Sequence, residues 1–319
     1  MLTSSRTTNI LLIAMIAVAI GIVAMLASGA RGGPLDPPAA PASTMKTLQQ
    51  VEPRTPISQP ATAADFPIQI NAPGSYYLTE NVTGVAGKSG IVINADDVTL
   101  DLNGFSLFGG GFSTRGISDN DGFRTNLTIR NGVVRGWGTG LGMRFTTRST
   151  FEDLKVTDGA PVGNGIDIGS GNDVRRVISR YNASGLVIWQ VGDAWGSTVE
   201  DSNFSRNGVG IVIFANNVWV RDSVIDANSV SGIVIGGSSV GSSYNEITDN
   251  RITGNGTTGV AANGYAVEIL ANSNRNVIVR NVTDANTAIG EFLNSGAGNM
   301  VGPLQQPPIT DPSANIGFP

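Results

Sequence analysis

The chain has 319 residues, 42 of them Gly, with 14% charged and 40% hydrophobic side chains, a net charge of −5 and neither Cys nor His. So much Gly, against about 7% in an average protein, with enough apolar surface for a core, suits many short strands joined by tight turns rather than disorder. The missing Cys and His exclude disulfides, thiol nucleophiles, Ser-His and Cys-His pairs and the usual zinc and copper sites. An acidic chain with only 20 Lys and Arg also excludes a nucleic-acid footprint.

Residues 1–30 read as an export segment. Arg6 precedes an apolar run from Ile10 to Ala27, and the small residues Ser28, Gly29 and Ala30 follow. This is the pattern of a secretory signal, although a run of 18 residues is also long enough to span a bilayer. A cleaved signal peptide and a retained membrane anchor both fit, the latter being the only membrane association expected. In either case the rest of the chain is expected outside the cytoplasm: secreted, periplasmic or held on the cell envelope. Residues 31–65, Pro- and Ala-rich at their start, read as a linker and the start of a cap. Residues 66–89, with Phe66, Tyr76, Tyr77 and a turn at Pro73-Gly74, read as an N-terminal cap over an open edge.

From Gly90 a repeat takes over. Gly followed by an apolar–x–apolar triplet recurs at Gly90, Gly140, Gly165, Gly185, Gly210 and Gly232, with weaker copies at Gly116 and Gly259. The intervals are 26, 24, 25, 20, 25, 22 and 27 residues, too short for strand–helix–strand units. Further alternating triplets follow within the periods, at 98–102, 127–129, 218–220 and 277–279. Each period therefore reads as one coil of two or three short strands that buries its apolar face only by stacking on its neighbours. The expected fold is an all-β, single-stranded parallel β-helix of about eight coils over residues 90–302. The Pro-rich tail, 303–319, is expected to leave the stack and lie along its side. Asn182, Asn207, Asn228, Asn255 and Asn286 each stand three or four residues before a Gly, and are expected to form an internal amide ladder. Six Asn-x-Ser/Thr triplets (at Asn81, Asn126, Asn182, Asn203, Asn255 and Asn281) fall partly on these positions, so the repeat accounts for them better than glycosylation.

These motifs resemble the right-handed parallel β-helix superfamily of pectate-lyase-like proteins. More narrowly, TMKTLQQVEPRTPIS, PGSYYLTENVTGV and DDVTLDLNGFSL resemble the opening of a group of exported bacterial β-helix repeat proteins. The resemblance covers roughly residues 44–300 and implies the right hand of the helix. Its functional implication is broad, because the fold hosts lyases, hydrolases, epimerases, tailspikes and adhesins. The Gly-His-Gly motif of polygalacturonase-like enzymes is missing. The Ca²⁺-binding acidic stack of pectate lyases has no counterpart on any strand, so no cofactor is expected and Ca²⁺ lacks support.

In each triplet the apolar residues point inward, so the middle residue and the one after the triplet point outward. That outward set is Arg144, Asp167, Val187, Trp189, Val212 and Phe214. Trp189 and Phe214 occupy equivalent places on successive coils, with Asp193 and Trp195 in the loop that follows Trp189. Such an aromatic patch with charges beside it suits sugar rings, which makes Trp189, Trp195 and Phe214 the candidate ligand-binding residues. The other reading is that loops or the tail cover the stripe, as the outward Val187, Val212 and Val234 suggest. Asp167 and Asp193, with Arg144 beside them, form the best candidate carboxylate pair for glycoside chemistry. The absence of His, the sparse acids and the Val-rich face favour a surface protein that binds or displays towards envelope or extracellular polysaccharide. The alternative is an extracellular polysaccharide lyase or glycoside hydrolase. Oligomeric state leaves no mark in the sequence.

Overall fold

The computed structural model describes residues 4–27, 53–111, 114–159, 162–193, 196–237, 241–257, 264–286, 291–306 and 309–317. The chain divides into two units, residues 1–51 and 52–319. The first contains one helix, α1 (Ser4–Ala27), whose stretch Thr8–Met25 is long and apolar enough to cross a membrane. Its apolar side chains face all ways and are unburied, Ile10, Leu11, Ile13 and Met15 among them.

The second unit is a parallel β-helix with three sheet faces. Ten strands build the Gly-led face: β1 (Ile68–Ile70), β2 (Ile91–Ile93), β3 (Arg115–Ser118), β4 (Thr139–Met143), β5 (Asn164–Gly169), β6 (Ser184–Trp189), β7 (Val209–Phe214), β8 (Ile233–Ile235), β9 (Val267–Ile269) and β10 (Phe292–Asn294). The first and last of these extend the stack beyond the eight coils counted from glycines. Phe66–Gly84, expected as a cap, already pairs as a coil, with Ile68 opposite Ile91 and Tyr76 opposite Leu100. Gly259 lies outside the described residues; the strand at that level is β9, where Ala266 stands in the Gly position. The second face carries strands such as Asp173–Arg175, Thr198–Glu200 and Trp219–Arg221, and the third Ile178–Arg180, Asn203–Ser205 and Val224–Asp226.

Strict register puts like residues on like. Leu141, Ile166, Leu186, Ile211 and Ile233 form one inward column, none more than 1% exposed. Each fully buried side chain of this kind contributes about 1.5–3 kcal/mol. On the outside of the second face the same stacking alternates charge: Asp101 bonds Arg130 at 3.3 Å, Glu152 bonds Arg175 at 2.9 Å, and Glu200 bonds Arg221 at 2.6 Å. Like charges in such a column would stand one coil apart, about 4.8 Å, and repel.

Three polar ladders close the corners. The expected one is present: the amide oxygens of Asn207, Asn228, Asn255 and Asn286 each accept the backbone N–H of the ladder residue one coil earlier, at 2.9–3.1 Å. A second runs through Asn245, Asn276 and Asn299, and a third through Ser202, Ser223, Asn250, Asn281 and Asn315. Asn182, Asn255 and Asn281, half of the glycosylation-like triplets, are thus buried ladder members. The leading glycines answer to this crowding rather than to a left-handed turn. A Cβ on Gly185 would lie 2.6 Å from the Gly210 carbonyl oxygen and 2.8 Å from the Asn207 amide nitrogen.

The tail corrects the expectation that it leaves the stack. Ile316 pairs with Val282, and the Asn315 amide donates to the carbonyls of Ile278 and Gly302 at 3.1 and 2.9 Å. Asn315 therefore ends a ladder, which holds the tail in place as the closing coil.

Candidate functional site

The Gly-led face brings together four of the six residues singled out in the sequence. Asp167 ends up opposite Val187, and Trp189 opposite Phe214, as the repeat requires. The two rings stack with centroids 4.5 Å apart at 30°. From the preceding coils Arg144 lays its guanidinium 3.7 Å from the centre of the Trp189 ring, a cation–π contact. It reaches across the level of Gly169, which pairs with Trp189 and offers no side chain. Trp189 is therefore held between Arg144 on one face and Phe214 on the other, and its indole N–H donates to Asp167. The tryptophan presents its edge, not its faces, to anything outside.

Asp167 is half-buried, and desolvation raises its carboxyl above the ordinary value. The Trp189 hydrogen bond, Arg144, Asn164 and Arg115 oppose that shift without cancelling it. Arg115 approaches because its side chain lies over Gly142, where a Cβ would meet the Arg115 Cδ at 2.4 Å. Val187 is 3% exposed although it points away from the core, and Val212 and Val234 are half-buried. Asp193 is exposed and lies elsewhere, in a cavity at the corner that follows the Gly-led face; no contact joins it to Asp167 among the described residues. Trp195 lies outside the described residues.

That corner cavity, of about 570 Å³, is lined by Gln190, Asp193, Asn216, Asn217, Ser243 and Tyr244 together with Gly192. A second of about 450 Å³ shares Ser243 and Tyr244 with it and continues to Asn274, Arg275 and Gly298. The two make one groove parallel to the helix axis. Its wall is another repeat: Gln190 accepts the Asn216 N–H at 3.0 Å, Asn216 the Ser243 N–H at 2.7 Å, and Asn274 the Ala297 N–H at 2.8 Å. Asn217, Tyr244 and Arg275 sit in left-handed backbone at φ 56–61°, which turns their side chains away from the coil. Arg275 donates to the Tyr244 hydroxyl and lies 5.5 Å from the centre of its ring. Apart from Asp193, none of these corner residues was singled out in the sequence. They follow the regular strands by unequal steps, so no period marks them. Among the described residues no group of three or more carboxylates is placed to hold a metal.

A stack of parallel coils, with a stacked outer column and an axial groove, defines a β-helix with one elongated candidate site. The chain belongs to the right-handed β-helix family, whose right handed beta helix region matches residues 124–284, half of the sequence. No curated protein matches the chain in sequence. Among solved structures it is similar to the A-modules of two Azotobacter vinelandii mannuronan C-5 epimerases. The AlgE6 module is 16% identical with a TM-score of 0.49, covering 83% of this chain and 88% of that one. The AlgE4 module is 14% identical with a TM-score of 0.48, covering 78% and 88%. Neither likeness bears on the chemistry of the site.

Proposed function

We propose that this is an exported β-helix protein that binds an extended polysaccharide in the corner groove beside the Arg144–Trp189–Phe214 column. The observation that carries the reading is the continuity of the groove across Ser243 and Tyr244. From the level of Gln190 to that of Gly298 it passes five coils, about 19 Å at the spacing of stacked strands. Amide, hydroxyl or phenol groups recur at its first four coils, on Gln190, Asn216, Tyr244 and Asn274, so a linear polymer presents a comparable group to each in turn. Asp193 at one end and Arg275 towards the other fix polarity. The apolar helix α1 supports export, as a signal or as an anchor.

The test is a glycan-array and polysaccharide-depolymerisation screen of the purified protein, with and without Ca²⁺. Binding without cleavage is expected, weakened at least about tenfold by Tyr244→Ala while the far-UV circular dichroism is unchanged. If no polysaccharide is found whose binding Tyr244→Ala weakens, the groove is overturned. One observation favours the enzymatic alternative. The Asp167 carboxyl is raised by burial, as a general acid requires. New reducing or unsaturated ends that vanish in Asp167→Asn and Asp193→Asn would establish catalysis instead.

A further inference from the structure

Trp219 stands on the second face, two residues beyond the groove-lining Asn217, and differs from the other described tryptophans. Trp137 is buried, with its indole N–H bonded to the Leu107 carbonyl at 3.0 Å, and Trp189 is sandwiched and bonded to Asp167. Trp219 is 49% exposed, and among the described residues its side chain makes no hydrogen bond, ring stack or cation–π contact. An indole is costly to leave wet and unpartnered, and a half-exposed ring beside a cavity is a platform for a flat apolar surface. Such a cavity exists. About 350 Å³ in volume, it is lined by Trp219 and by Arg221, Asp222, Glu246, Asp249 and Arg280. Register sets the cavity across three coils, with Trp219 opposite Glu246 and Arg221 opposite Thr248, and Arg280 entering from the coil beyond.

The charges around it are unequally committed. Arg221 is paired with Glu200 at 2.6 Å and Arg280 with Asp249 at 2.7 Å. Glu246 and Asp222 make no hydrogen bond or salt bridge among the described residues. The uncommitted groups in the cavity are therefore hydrogen-bond acceptors with negative charge, next to an open aromatic ring. A uronate or sulfated sugar would meet the carboxylates of Glu246 and Asp222, which are free of hydrogen bonds and feel Arg280 and Arg221 only at longer range. A neutral pyranose meets none of that repulsion: its C–H face lies on the indole, and its hydroxyls donate charge-assisted hydrogen bonds to Glu246 and Asp222. The volume suits one or two sugar rings rather than a long chain.

We infer that Trp219, Glu246 and Asp222 form a second glycan subsite, on the face next to the groove, selective for a neutral sugar ring. The inference does not depend on the groove. It is tested by calorimetric titration of the full chain with cellohexaose, xylohexaose and mannohexaose as neutral probes, hexagalacturonate as the anionic one and a chitosan hexamer as the cationic one. At least one neutral hexamer is expected to bind, with affinity reduced at least about tenfold by Trp219→Ala and partly retained by Trp219→Phe. Far-UV circular dichroism checks that the variants are folded. Binding lost with Tyr244→Ala but not with Trp219→Ala overturns the subsite and leaves the groove standing. Preference for hexagalacturonate or the chitosan hexamer, or no binding of a neutral hexamer at millimolar concentration, overturns it as well. So does a dimer that Trp219→Ala returns to monomer with no sugar bound.

Discussion

Asp167 is where burial and attraction compete most directly. Desolvation favours the protonated carboxyl, while the Trp189 N–H, Arg144 and Arg115 favour the anion, and desolvation is the larger effect. A carboxyl raised in the folded state holds its proton to higher pH there than in the unfolded chain. Folding is then most favoured with the proton on, and this contribution falls as pH climbs from the ordinary 3.8 through the raised value. Asp119, Glu268 and Glu291 are shifted the same way by burial, whereas Arg176 and Arg280 hold Asp153 and Asp249 low and act in the opposite sense. Asp167→Asn keeps an oxygen for the indole N–H and has no charge to desolvate. Relative to the unmodified protein, its stability is expected to rise as pH is raised from 3.8 to 7 and to stay level below that range. Urea denaturation across the pH series reads this directly. A relative loss on raising the pH would mean that Arg144 and Arg115 outweigh burial.

At the level of the strand and its corner, the ladders carry what side-chain packing alone cannot. Asn228 is fully buried; its oxygen accepts the Asn207 N–H at 2.9 Å and its amide donates to the Phe204 carbonyl at 3.0 Å and to Asn255 at 2.9 Å. Asn228→Ala strands a backbone donor and a backbone acceptor where water does not reach, at roughly 1–3 kcal/mol each. The expected loss is about 3–5 kcal/mol, measured by chemical denaturation, and a loss under about 1 kcal/mol would mean that water replaces the amide. This ladder was legible in the sequence because a Gly follows each Asn after three or four residues and marks the register. The third mixes Ser with Asn, and the second and third both stand beside strands that no Gly introduces, so Asn245, Asn276 and Asn299 showed no period. At the level where Gly259 was read as the leading glycine, Ala266 fills the leading position of the described strand, so no Gly marks it. Trp189 beside Phe214 followed from register alone. Tyr244 and Arg275 did not, because the strands of the Gly-led face end at 189, 214, 235 and 269 while those of the second face begin at 198, 219, 246 and 277.

Over the whole solenoid, each coil touches only the coils above and below it, so stability is close to a sum of neighbour terms and no coil is indispensable to the architecture. The residue-level pairings say which deletion the stack will tolerate. Removing residues 210–231, the full period between Gly210 and Gly232, brings Leu186 opposite Ile233 and Ile188 opposite Ile235, keeping the core column apolar. Asn207 then meets Asn255 in place of Asn228, and Ser202 meets Asn250 in place of Ser223. On the second face Glu200 loses Arg221 and gains Thr248, so no like charges are forced together. The shortened protein is expected to keep its β-sheet circular dichroism and a cooperative unfolding transition, at lower stability because Trp189 has lost Phe214. Removing residues 210–220 alone cuts within the period, joins a Gly-led strand to the middle of another face, and turns inward columns out. That variant is expected to be unfolded. If both deletions fold equally well, the coil is not the unit of this structure; if neither folds, the neighbour terms do not add, and the stack behaves as one cooperative body.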